Sequence, residues 1–73
     1  MDFLVSKDGE PWLLAECKSG DTAVSPALRA AQNATKAPHT LQVVFSLPYE
    51  PIDCFALDGA YSVPARTFLS QLP

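Results

Sequence analysis

Asp2-Phe3-Leu4-Val5-Ser6-Lys7-Asp8-Gly9-Glu10 runs straight into Pro11-Trp12-Leu13-Leu14-Ala15-Glu16-Cys17-Lys18, and the turn between the two decides the fold. Residues 2–6 and 11–18 read as two strands of a hairpin, because each is rich in apolar residues and Asp-Gly is a turn signal. Side chains two apart on a strand share a face, so Glu16 and Lys18 point one way and Cys17 the other. Two turns fit. Asp8-Gly9 as a two-residue turn pairs Val5 with Trp12 and puts Asp2 on the face opposite Glu16. A three-residue loop, Lys7-Asp8-Gly9, with Gly9 left-handed as a bulge, pairs Ser6 with Glu10. Asp2 then sits opposite Leu14, on the face of Glu16 and diagonal to it. Only the second turn gathers an acid, a second acid and a lysine.

Working outward from the hairpin, Trp12, Leu14, Glu16 and Lys18 alternate with Leu13, Ala15 and Cys17. Both faces are largely apolar, so this strand is expected to be central in its sheet. Residues 19–24 are a polar loop. Ser25-Pro26 starts a helix: Ser25 can cap, and proline suits the first helical position because its missing donor has no partner there. Ala27, Ala30, Ala31 and Ala34 fall at helical spacing and offer a small-residue face, and Pro38 ends the helix. Residues 40–47 read as a third strand, with Leu41, Val43, Phe45 and Leu47 on one face. Pro48-Tyr49-Glu50-Pro51 is a rigid loop. Ala60–Val63 reads as a short strand, and Pro64 opens a second helix with Ala65, Phe68, Leu69 and Leu72 at helical spacing. The order implies an α/β fold, a mixed sheet of three or four strands with two helices.

Composition sets the bounds. The chain has 73 residues, 48% hydrophobic and 18% charged, which is one small globular domain. A domain this size buries only about 60% of its unfolded surface, so its core is marginal. Two cysteines make no disulfide framework and no zinc-type spacing. With no signal peptide and no long apolar run, the expected location is the cytoplasm, with free thiols and no membrane contact. A net charge of −3 speaks against a dedicated nucleic-acid binder. A bound divalent metal can reverse the local charge, so nucleic acid stays open as a substrate.

A strand carrying an acid, a turn, a strand ending Glu-x-Lys, then helix and strand resembles the core of the PD-(D/E)xK nuclease superfamily. Asp2-Phe3-Leu4-Val5, Trp12-Leu13-Leu14-Ala15-Glu16-Cys17-Lys18, Ser25-Pro26-Ala27-Leu28 and Gln42-Val43-Val44 extend the likeness. So does Val63-Pro64-Ala65-Arg66-Thr67-Phe68-Leu69. Together these runs are similar to the nuclease-like C-terminal domain of bacterial P-loop, AAA-like ATP-binding proteins of unknown function. That resemblance implies a restriction-endonuclease-like core here in truncated form, without the family's upstream helix, first strand and ATPase domain. Nothing in the chain resembles a phosphate-binding loop. The resemblance further implies that Asp2 and Glu16 hold magnesium and that Lys18 positions the attacking water. It selects the three-residue bulged turn, since both acids must reach one metal.

Beside those residues stand plainer readings. Glu16 and Lys18 also suit an ion pair at a solvated strand end, with Leu14 one step deeper in the sheet. Gln32 reads as a solvated helix residue, His39 as a loop histidine, Cys17 as a small core residue, and Cys54 as a thiol without a base. Trp12 and Phe3 read as core. Two functions follow: a non-catalytic interaction or oligomerisation module derived from a nuclease, or a magnesium-dependent nuclease using Asp2, Glu16 and Lys18. Phe3, Leu4 and Val5 on an unguarded edge predict a homodimer.

Overall fold

The computed structural model describes residues 3–20, 22–57 and 59–72. Strands β1 (Phe3–Lys7) and β2 (Glu10–Lys18) form the hairpin. Helix α1 (Pro26–Thr35) leads to β3 (His39–Val44). A long connection containing a single 3-10 turn, Cys54–Ala56, then reaches β4 (Ala60–Pro64), which runs directly into helix α2 (Ala65–Ser70). The sheet order is β1-β2-β3-β4. β1 is antiparallel to β2, whereas β2, β3 and β4 are mutually parallel. The α/β class with a mixed four-stranded sheet and two helices is therefore the observed one. β2 is central, as its double-sided apolar pattern requires.

The hairpin differs from the three-residue loop expected for it. Lys7 pairs with Glu10, and both Asp8 (φ 54°) and Gly9 (φ 79°) are left-handed, which is a two-residue turn of the type that matches strand twist. Aspartate tolerates that conformation and glycine adopts it freely, so Asp-Gly needs no third residue. A bulge lies elsewhere. Ser6 pairs with Pro11 but Val5 pairs with Leu13, so Trp12 is the extra residue. The bulge shifts the register by one and restores the face alternation that the shorter turn alone would have inverted. Leu4 therefore stands opposite Leu14, and Phe3 opposite Ala15. Trp12 joins the side of Leu13, where it packs on the larger core cluster.

Two cores cover the two faces. On one face Leu13, Ala15, Leu41, Val43 and Val63 meet Cys54, Ala65 and Phe68. On the other, Leu14 meets Leu28 and Ala37. Thus α2 and the 3-10 segment lie over one side, and α1 over the other. Ser25 caps α1 as its position predicts, its Oγ accepting from the Leu28 amide at 3.1 Å. Pro26 occupies the first turn. The helix ends earlier than Pro38: Lys36 turns left-handed (φ 59°) and its amide donates to the Gln32 carbonyl at 2.8 Å.

Three further expectations change. The inward face of α1 is Leu28 and Ala31; Ala27, Ala30 and Ala34 are exposed. One leucine buries more apolar area than any alanine, so it sets the rotation of the helix. The third strand stops at Val44, and Phe45 is exposed, although its amide still donates to the Lys18 carbonyl at 2.9 Å. Within and after α2, Ala65 and Phe68 are buried but Leu69 and Leu72 are exposed. The loop before β4 is tied to α2 by side chains. Thr67 Oγ1 accepts from the Glu50 amide and donates to its carbonyl, while Gln71 engages the Cys54 amide and the Ile52 carbonyl.

Leu14 is fully buried. Leu14→Ala is expected to cost about 2–5 kcal/mol in denaturant melts. Gly9→Ala is expected to cost about 1–2 kcal/mol from its left-handed backbone alone. A neutral Gly9→Ala would contradict the two-residue turn.

Candidate functional site

Parallel register places Glu16, Gln42 and Ser62 side by side across β2, β3 and β4, on the face covered by α1. This polar row lies beside the apolar cluster of Leu14, Leu28 and Ala37, with Thr40 next to Leu14 in the sheet. Burying such groups is costly unless each is bonded, and here they hold the loop that leads into α1. Gln42 is fully buried. Its Oε1 accepts from the Ser25 amide at 3.0 Å, and its Nε2 donates to the Ala23 carbonyl at 2.7 Å. Ser62 Oγ donates to the Thr22 carbonyl at 2.6 Å. Ser25 Oγ, already capping α1, donates to Glu16 Oε2 at 3.3 Å. On the other carboxylate oxygen, Lys18 Nζ sits 3.1 Å from Glu16 Oε1.

Glu16 and Lys18 thus meet on one face, as their spacing predicts. Glu16 is not at a solvent-open strand end, however. It is only 7% exposed, because the capping residue of α1 closes over it. The Lys18 ammonium holds its carboxyl below the ordinary carboxylate range; burial pushes the other way, and the Ser25 hydroxyl adds to the lowering. Glu16 is therefore an ionised acid at neutral pH, beside the positive end of a helix. Lys18 is the outer member, with its side chain 37% exposed.

Asp2 lies outside the described residues. Among the described residues no group of three His, Cys, Asp or Glu side chains comes together. The donors that are described do not by themselves fit magnesium: they amount to one carboxylate, and Lys18 and Ser25 engage its two oxygens.

The other singled-out residues fall away from this row. His39 is not in a loop but opens β3, edge-on to Trp12 and to Phe55, each at 5.2 Å between ring centroids. Trp12 and Phe55 stack in parallel, and Lys7 Nζ sits 3.9 Å from the Trp12 ring centroid. Cys17 is exposed, not a core residue. Cys54 is buried, and burial, aided by Asp53, pushes its thiol pKa up, which leaves it a poor nucleophile at neutral pH. Gln32 is half-buried on α1.

Gln42, Ser62 and the second bond of Ser25 are the functional-looking residues that sequence reasoning passes over. Their one signal is a glutamine between apolar neighbours in Leu41-Gln42-Val43-Val44. Comparison with family models, with curated proteins and with solved structures gives no match.

Truncating Gln42 removes two bonds from a fully buried site, so Gln42→Ala is expected to cost about 2–5 kcal/mol. Amide exchange at Ser25 and Leu28 should accelerate in that variant. The pH dependence has a definite sign. With the folded-state pKa of Glu16 below its ordinary value of 4.5, its stabilisation is complete above that value and is lost as pH falls through the lower folded value. Wild-type protein is expected to lose more stability than Glu16→Gln between about pH 5 and pH 3. Equal losses in urea melts would show that Glu16 does not feel Lys18 and Ser25.

Proposed function

We propose that this domain is a non-catalytic interaction module whose contact surface is the outer edge of β1, and that the nuclease-like pair Glu16 and Lys18 serves its fold. The observation that carries this reading is the exposure of β1 along its whole length. Phe3 is 38% exposed, Leu4 44% and Val5 36%, on an edge with no neighbouring strand among the described residues. Backbone groups on such an edge accept an added strand, and alternating side chains on both faces supply the apolar contact. A strand without proline or inward charge is otherwise a liability. No helix among the described residues is long and apolar enough to cross a membrane. The free cysteines suit the reducing cytoplasm, where we place the protein.

A second reading has its own support. Glu16 and Lys18 share one face at the carboxyl end of β2 beside a helix start, the region where open α/β sheets place their ligands. If Asp2 supplies a second carboxylate, the three residues have the chemistry of a magnesium-dependent phosphodiesterase acting on nucleic acid. The acidic charge of the chain weighs against that substrate.

Two titrations on isotope-labelled protein separate the readings. Adding a synthetic peptide of sequence Phe3–Lys7 is expected to shift the β1 amides locally and saturably. Silence to about millimolar peptide, a concentration at which even weak recognition registers, would overturn the strand-addition reading. Magnesium is expected to leave the Glu16 side-chain signal unmoved. A saturable shift there would favour the hydrolytic reading.

A further inference from the structure

Resting on the strand-addition reading, we propose that the partner of the β1 edge is a second copy of this chain. The two β1 strands pair antiparallel about a two-fold axis at Leu4, so that Leu4 faces the partner's Leu4 and Phe3 faces the partner's Val5.

The two edges of the sheet are unequal, and that inequality selects the arrangement. β4 ends in Pro64, which has no amide to donate, and its Ser62 side chain is tied to Thr22 of the overlying loop. β1 has no such guard. Head-to-tail pairing of β1 with another copy's β4 would grow without end, and β4 is the edge that resists it. Pairing β1 with β1 is isologous and closes at two.

Charge fits the same partner. Two copies each carry a net −3, so their contact must lie where acids are absent. The described residues of β1 carry one charge, on Lys7, and its ammonium rests on the Trp12 ring. In the register centred on Leu4 the apolar trio Phe3-Leu4-Val5 meets itself, and Lys7 lies beyond it. Phe3 and Val5 project on the α2 face and Leu4 on the α1 face, so both sides of the joint gain apolar contact.

Area sets the strength. The chain exposes 4285 Å², close to the roughly 4,400 Å² expected of a folded monomer of its mass, so the single copy stands without its partner. A joint made by the half-exposed side chains of Phe3, Leu4 and Val5 from each copy is small beside the roughly 1,600 Å² of a usual stable complex. The dimer is therefore reversible and depends on concentration.

Sedimentation equilibrium over a hundredfold concentration range tests this, with charge-swap variants as the specific probe. The wild-type mass is expected to rise from 7.9 kDa toward twice that value. Leu4→Lys and Leu4→Glu, both at an exposed position, should each stay at the monomer mass, and an equimolar mixture of the two should dimerise again. Tyr61→Lys, an exposed change on β4 at the opposite edge of the sheet, should dimerise like wild type. A wild-type mass fixed at 7.9 kDa overturns the self-partner. So does dimerisation of Leu4→Lys alone, or a mixture that stays monomeric. If the Phe3–Lys7 peptide binds β1 while the chain stays monomeric, strand addition stands and only the second copy is refuted.

Discussion

Gln42 places a primary amide in the middle of a buried parallel sheet, and most of the architecture on the α1 side follows from satisfying it. An amide removed from water costs several kcal/mol unless bonded, so the chain must bring polar backbone to it. The loop before α1 does so, offering the Ser25 amide and the Ala23 carbonyl. That fixes where α1 begins, and Leu28, one turn on, drops onto Leu14. It also fixes Ser25 in range of Glu16, while Ser62 takes the next carbonyl of the same loop at Thr22. A leucine at position 42 would have offered more apolar burial and no address for the loop. Polar groups of this kind specify one arrangement among several of similar packing energy.

The opposite constraint governs β1. β2 and β3 carry buried residues on both faces, but β1 is exposed along all five residues and is held by pairing with β2 and by the contact of Phe3 with Phe68 at 6.5 Å between ring centroids. Stability across a domain is uneven, and segments with few buried contacts open first. The bulge at Trp12 sharpens the contrast. It sends the indole to the α2 face, where Lys7 and Phe55 meet its ring, so the turn end of the hairpin is pinned, while at the far end the one aromatic contact described for β1 is Phe3 on Phe68.

Much of this was legible in the sequence, and the misses share a cause. Strand β2, the Ser25-Pro26 helix start, the short β4 and the helix after Pro64 follow from local chemistry: apolar runs, a cap, proline geometry. The face of α1 does not. Ala27, Ala30 and Ala31 are nearly equivalent as helix residues, and only contact with Leu14 picks Leu28 as the anchor. The hairpin register also escaped, since Asp-Gly permits two turns and the bulge at Trp12 arises from packing the indole, not from any turn signal. Of the candidate site, the meeting of Glu16 with Lys18 was readable from spacing. Its burial was not, because Ser25 closes over Glu16 from nine residues away and is itself held by Gln42, seventeen residues further on, a placement that the parallel register creates.

The two functional readings differ less in residues than in which partner of Glu16 can move. A cation approaching the carboxylate meets Ser25 on one oxygen and Lys18 on the other. Displacing Ser25 breaks the cap of α1 and disturbs the Gln42 bonds behind it, so the inner oxygen is committed to the fold. Lys18 is different: its side chain is partly exposed, and an ammonium on four methylenes returns to water at little cost. The row therefore has a structural half, made by Ser25, Gln42 and Ser62, and an outer half, made by Lys18. A nuclease needs the outer half rebuilt around a second carboxylate. An interaction module needs only the inner half, in which Gln42 holds the Ser25 amide and the Ala23 carbonyl.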